Sequence, residues 1–300
     1  MHYRKIIGDA WAFTQSSKRL VMWFAFIPAV ASTIYGLLTF IYYYFTLTNK
    51  GSNIGLAIEV IEKIKEILSG HGFLIPWIIL VLAIFAVFKL FYPTFATGAI
   101  VQYASHKRQN KDIGLARSLS YGLKSFLPLF EYHLLMNTFG LTTYITTLFF
   151  FYRTLPGSAL AILLPIFGIC GFIFIVFSLL VTYSEMYIVL EKEGVFTAIR
   201  KSAGLVVDNW QYTFLVLVLL LLISLRMIFN LIIVIILPAL IITGVGFFAS
   251  LQLHIGGYIL AAIVSLVGLY LAGILGGNLH VFTNAVWTFT FLELTAEGEE

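Results

Sequence analysis

No feature constrains this chain more than its long apolar runs. Leu217–Pro238 reads LVLLLLISLRMIFNLIIVIILP, and comparable runs recur along the sequence. About 18 or more apolar residues in succession suffice for a helix to cross the hydrocarbon of a bilayer. Composition agrees. Of 300 residues 60% are hydrophobic and 11% charged, where a soluble domain keeps roughly 25% charged. The mean hydropathy is +0.98. The class implied is an all-α polytopic membrane protein forming a single membrane domain over 1–300. The net charge of +4 then speaks to topology and implies no nucleic-acid partner.

Six spans are expected, at about 20–47, 73–104, 127–152, 156–190, 212–243 and 257–292. Pro28, Pro93, Pro128, Pro165 and Pro238 are candidate kinks or ends. Lys18-Arg19, the apolar stretch after them and Ala29-Val30-Ala31 imitate a signal peptide. The run continues to about Leu47, so an uncleaved first span is expected. With both termini cytoplasmic, the inner loops carry Arg4, Lys5, Lys18, Arg19, Lys107, Arg108, Lys111, Arg117, Lys124, Lys192, Arg200 and Lys201. The outer loops carry Lys50, Lys63, Lys65 and Arg153, twelve basic residues against four. Basic residues favour the cytoplasmic side, which places the chain in a cytoplasmic (inner) membrane in that orientation. The one sizeable outer segment, NIGLAIEVIEKIKEILSGHG, has apolar residues at helical spacing and a Glu59/Lys63 pair. It reads as an amphipathic cover lying on the outer surface.

Three segments resemble one another: IIGDAWAFTQSSKRLVMWF from Ile6, DIGLARSLSYGLKSFLPLF from Asp112 and GVFTAIRKSAGLVVDNWQYTF from Gly194. Each is amphipathic, ends in a polar pair and leads into an odd-numbered span. The chain therefore parses as three pseudo-repeated pairs of spans, about 1–104, 105–190 and 191–292, each preceded by a cytoplasmic interfacial helix. Such helices suit the headgroup layer, apolar face down and Lys or Arg toward phosphates, so membrane lipids are the expected partners, with a membrane protein as a possible second. Ala10, Ala116, Ala198, Ser202 and Gly204 are the small positions expected to pack against span ends.

The helix AIRKSAGLVVDNW, with its basic loop and following span, resembles the membrane domain attached to some glycerophosphodiester phosphodiesterases and its stand-alone relatives. The likeness covers residues 191–225 and is echoed at 107–130. In the fused relatives hydrolysis belongs to a separate soluble barrel, for which this chain has no room, so the resemblance implies no catalytic residue here.

Charges inside the spans are the candidate site. Arg226 lies about 21 Å along the fifth span, near mid-membrane, where an ionisable group costs roughly 3 kcal/mol or more and turns inward. Glu185, leaning outward from the fourth span, is its first candidate partner and Glu131 the second. Asn230, Asn137 and His280 sit at comparable depths, with Asn278 and Asn284 a turn either side of His280. Two readings follow: a buried ion pair holding the bundle in register, or a polar cavity for an anionic or amphiphilic substrate. Lys89, in the second span, leans outward and can snorkel. In the sixth span Ala261, Ser265, Gly268, Ala272 and Gly276 form a small stripe, with Gly273 and Gly277 beside it. That stripe suits tight packing within the monomer, while Gly276-Gly277 also offers a helix break of the transporter kind.

Cys170 reads as an apolar packing residue. No cofactor, metal-ligand spacing or catalytic triad stands out. The expected function is a non-catalytic scaffold or accessory role in envelope or lipid homeostasis. The alternative is a transporter or flippase-like protein, and an enzyme is not expected.

Overall fold

The computed structural model describes residues 3–36, 72–111, 113–138, 141–225 and 254–297. Every regular element among them is helical. In chain order they are α1 (Tyr3–Ser16), α2 (Lys18–Gly36), α3 (Ile75–Arg108), α4 (Leu115–Lys124), α5 (Phe126–Thr138) and α6 (Leu141–Thr154). There follow α7 (Gly157–Leu180), α8 (Ser184–Leu190), α9 (Val195–Asp208), α10 (Trp210–Leu225) and α11 (His254–Glu297). Among the described residues four stretches are long and apolar enough to cross a membrane: α2, Ala83–Arg108 of α3, Gly157–Leu190, and Leu266–Ala296 of α11. A fifth arises if α9 and α10 count as one span bent by 97°.

Of the expected spans, the third, 127–152, contains α5 and α6, with residues 139–140 between them outside the described residues. The fourth is interrupted between α7 and α8. The outer amphipathic segment and Pro238 lie outside the described residues.

The chain divides into two compact units. The first is Met1–Thr33, Pro93–Tyr132 and Leu179–Glu300, and it holds nearly all the core. Ile6, Ala10 and Phe13 of α1 are buried, as are Val21, Phe24 and Ala25 of α2. Ala96, Ala99, Ile100 and Val101 of α3, and Phe282, Ala285, Val286 and Phe289 of α11, complete it. Alanines at these positions let helices approach closely, which is how packing works where lipid is as apolar as the core. The backbones meet most nearly at two glycine contacts. A Cβ on Gly122 of α4 would lie 3.0 Å from the Ala99 amide nitrogen and 3.2 Å from the Phe95 carbonyl oxygen of α3. One on Gly277 of α11 would lie 3.1 Å from the Phe26 nitrogen of α2. The helix does not break at Gly276-Gly277, contrary to that sequence option, because these glycines serve as the seat for α2 and α11 runs unbroken through them. Upstream of Pro28, Val21–Phe26 is wound as a π-helix, a usual accommodation where the regular bonding ladder is disturbed.

The second unit is Ile34–Tyr92 and His133–Ser178. In it Tyr144 of α6 donates a hydrogen bond to the Phe167 carbonyl of α7 and lies against Gly171. Lys89 places its ammonium 2.8 Å from the centroid of the Tyr35 ring, so it is held by a cation–π contact. No residue of α7 is buried. Cys170 is exposed on this helix, which corrects the expectation of a packed cysteine. Pro93 and Pro165 sit within continuous helices.

Helix ends follow local chemistry. Past α3, Asn110 takes a left-handed φ of 57°, the Lys111 amide returns to the His106 carbonyl and the Asn110 amide to that of Lys107. This is the double closure that satisfies orphan carbonyls. Between α8 and α9, Lys192 has φ 59°, and Lys201 Nζ binds Glu193 at 2.7 Å and Glu191 at 3.2 Å. Bonding to Glu193 and then Glu191 raises the Lys201 pKa above its ordinary 10.5. A raised folded value means the clip contributes fully below the unfolded value and is lost as pH rises through the folded one. The melting temperature of Lys201→Gln should therefore sit slightly below wild type at neutral pH. The difference should persist to about pH 10.5 and vanish only as pH rises through the raised folded value above it, as paired melts across that range will show.

Candidate functional site

Three short helices lead into apolar ones across a single irregular residue: Ser17 between α1 and α2, Ser125 between α4 and α5, Asn209 between α9 and α10. Their backbones are alike, with φ −103° and ψ 42°, φ −94° and ψ 2°, and φ −122° and ψ 35°. The hydrogen bonds are alike too. Each junction amide bonds four residues back, to Phe13, Tyr121 and Leu205, and each junction carbonyl accepts from four residues on, Val21, Leu129 and Thr213. The helical ladder is thus carried across the bend.

The same register recurs on the faces. Seven residues before the junction stand Ala10, Ser118 and Ser202, and three before it Thr14, Gly122 and Val206, all buried. Ala10, Ala198 and Ser202 therefore pack as the sequence suggested. Ala116 and Gly204 are instead exposed, because the buried seam of each helix runs along a different line. On α9 the line Phe196, Arg200, Ala203, Val207 faces away from that seam, and Phe196 is 81% exposed. Lys201, Gly204 and Asp208 form a third, exposed line between them. On α4 the corresponding outward residues are Leu119 and Leu123, with Arg117 and Lys124 on the polar side. A helix with one protein face, one apolar exposed face and one polar face is suited to the surface of a bilayer.

The fourth apolar stretch breaks at residues 181–183, and its freed backbone groups are taken up by side chains. Ser202 Oγ donates to the Leu180 carbonyl at 2.7 Å and accepts from the Tyr183 amide at 3.0 Å. The Tyr132 hydroxyl donates to the Val181 carbonyl at 3.2 Å. The Tyr183 hydroxyl meets Thr213 Oγ1 at 3.2 Å, and Gln102 Nε2 donates to the Val189 carbonyl at 2.6 Å. An interruption in an apolar helix persists only where protein or water satisfies its backbone, and here side chains do so for the Leu180 and Val181 carbonyls and the Tyr183 amide.

The residues singled out from sequence fare unequally. Arg226 and Asn230 lie outside the described residues. Glu185 is half-buried in the first turn of α8, next to the break. Glu131 is exposed on α5, and Asn137 is exposed with its carbonyl accepting from Thr143. His280 is half-buried on α11, where Asn284 Nδ2 donates to its carbonyl at 2.9 Å. Glu131 and Asn137 are exposed, since depth along a span does not fix which way a side chain faces.

A cluster that depth reasoning passed over sits at the ends of α1, α3 and α11. Arg108 binds Asp9 through one guanidinium nitrogen and faces Glu293 at 3.7 Å through the other. Its guanidinium carbon lies 5.1 Å from the centroid of Phe289, which meets Phe13 edge-on at 5.9 Å. Lys5, Arg108, Gln109, Phe289, Leu292 and Glu293 line an open cleft of about 460 Å³ there. In sequence Arg108 reads as a loop charge within a basic run. The available signal was the acidic residues Asp9 and Glu293 in otherwise basic or apolar surroundings.

Among the described residues no group of three or more His, Cys, Asp or Glu side chains could hold a metal ion. No family model matches the chain, and no curated protein or solved structure is significantly similar to it.

Proposed function

We propose that this chain is a non-catalytic multi-pass protein of the cytoplasmic membrane, acting as a scaffold or accessory subunit in envelope or lipid homeostasis. The observation that carries this reading is α7, 24 residues long and without one buried residue. α6 touches it through Tyr144 and Phe151, and the rest of so apolar a surface finds its contacts in acyl chains or in another protein's spans. The satisfied break beside it, closed by Ser202 and Tyr132, adds weight, since a side-chain-filled break leaves little backbone for a substrate.

In the full reading α2, α3, α5 with α6, α7 with α8, α10 and α11 are six crossings, with both termini cytoplasmic. The twelve-to-four distribution of basic residues supports that orientation. Three repeated units are supported by the shared junction geometry and buried register of α1, α4 and α9. The membrane-domain resemblance at 191–225 is compatible with this role and brings no activity with it.

A transporter or flippase-like reading draws on a different observation, the interrupted helix with Glu185 next to it. Reconstitution separates the two. Purified protein in liposomes should neither scramble lipid nor admit anionic amphiphiles above protein-free vesicles, while mass spectrometry of the purified material should find a retained lipid or membrane protein. Scrambling or uptake by wild type that Arg226→Ala abolishes would replace the scaffold with the transporter.

A further inference from the structure

The cleft where α1, α3 and α11 end has a charge pattern suited to neither a plain anion nor a plain cation. Two cations, Lys5 and Arg108, line it with one carboxylate, Glu293, while Asp9 pairs with Arg108 without lining the cleft. A lone anion would meet the Glu293 carboxylate and a lone cation both basic groups. Asp9 occupies one guanidinium nitrogen of Arg108. Glu293, at 3.7 Å from the other, is paired by charge but lies beyond hydrogen-bond range, so its oxygens keep acceptor capacity for a donor in the cleft. Lys5 is exposed on α1 and brings three donors. Phe289 and Leu292 supply an apolar wall beside these groups. The volume of about 460 Å³ accommodates a small polar group with the root of its apolar tail.

We propose that this cleft binds a phosphoethanolamine-type zwitterion, its phosphate toward Lys5 and the free N–H of Arg108 and its ammonium toward Glu293. Charge-assisted bonds of both signs then form at once, and the neutral set of side chains stays neutral when occupied. A primary ammonium donates hydrogen bonds to Glu293, which a trimethylated one does not, so ethanolamine is preferred to choline. The group arrives on a lipid of the adjoining leaflet or as a free phosphoester. The inference rests on membrane placement for the lipid source only, and on neither the scaffold nor the transporter reading.

Full-length protein in nanodiscs containing equal minor amounts of ethanolamine, choline and glycerol phospholipids, analysed by native mass spectrometry, tests the lipid source. Titration of O-phosphoethanolamine into detergent-solubilised protein tests the free one without a bilayer. Wild type should retain the ethanolamine lipid over the other two by about tenfold, the worth of one charge-assisted bond. Lys5→Gln should lower that retention by a similar factor at no cost to folding, since Lys5 is exposed. Glu293→Gln should shift preference toward the anionic glycerol lipid. Binding of O-phosphoethanolamine in detergent, lost in Lys5→Gln, supports the cleft even where lipid selectivity is weak. Equal retention of all three lipids with no binding of the free ester overturns the proposal. So does a preference that survives both substitutions.

Discussion

Gly277→Leu is expected to cost this protein about 3 kcal/mol or more of stability, the upper end for forcing bulk into a packed interface. The reason is what the new side chain would strike. A Cβ at Gly277 lies 3.1 Å from the Phe26 nitrogen, 3.2 Å from the Ala25 carbonyl carbon and 3.3 Å from the Phe26 Cα. These are backbone atoms, so no rotamer change on α2 makes room, and the whole helix has to move off α11. Gly273 differs in kind. Its nearest atoms, 2.5 Å and 2.7 Å away, belong to the Val30 and Phe26 side chains, which can turn aside at a smaller cost. Gly276 meets only the Ala29 Cβ at 3.1 Å. The expected order of loss is therefore Gly277→Leu first, then Gly273→Ala, then Gly276→Ala. Gly204→Ala is the control. No atom lies within 4 Å of its added Cβ, so removing a glycine from a helix interior should stabilise by roughly 0.5–1 kcal/mol. Unfolding in mixed micelles or bicelles reads all four, and a Gly277→Leu protein as stable as wild type would show that α2 is not seated there.

That seat was half legible in the sequence. A small residue every three or four positions along the last span announces close helix approach, but not which helix approaches. The Gly276-Gly277 pair looks equally like a break or a seat until α2 is placed against it. Likewise, amphipathic periodicity followed by a long apolar run marked α1, α4 and α9 as helices turning into spans. The buried line within each is not readable from spacing alone, so Ala116 and Gly204 read as inward, whereas Ser118 and Gly122 are the buried positions on α4 and Val206 joins Ser202 on α9. Hydropathy sees the mean of a window and not its weakest bond. It passed smoothly over Val181-Thr182-Tyr183, although two hydroxyl side chains in an oily run were a hint. Arg108 was missed for the opposite reason. A charge in a basic loop carries no depth signal, and its partners Asp9 and Glu293 lie far from it in sequence in opposite directions, Asp9 by 99 residues.

Ser202→Ala carries the second large expected effect, about 2–4 kcal/mol, from one oxygen atom. The Ser202 hydroxyl is fully buried, donates to the Leu180 carbonyl and accepts from the Tyr183 amide. Removing it strands two backbone groups where the helix is interrupted. Each buried orphan costs roughly 1–3 kcal/mol, against a gain of a few tenths to half a kcal/mol from the better helix propensity of alanine in α9. Tyr132→Phe is the comparison. It removes a donor from the Val181 carbonyl, held at 3.2 Å, and should cost about 1 kcal/mol. The two losses should also differ in reach. Ser202 ties α9 to the start of α8, and α8 packs on α11 through Tyr183 against Trp287, centroids 5.6 Å apart, and Tyr187 against Phe291 at 4.8 Å. Loosening the turn at 181–183 should therefore raise hydrogen exchange through residues 181–190 and change Trp287 fluorescence, while Tyr132→Phe leaves both nearly as they were. If Ser202→Ala melts with wild type and exchanges like it, the interruption is not held by that hydroxyl. The direction of α8 must then be set by the aromatic contacts with α11.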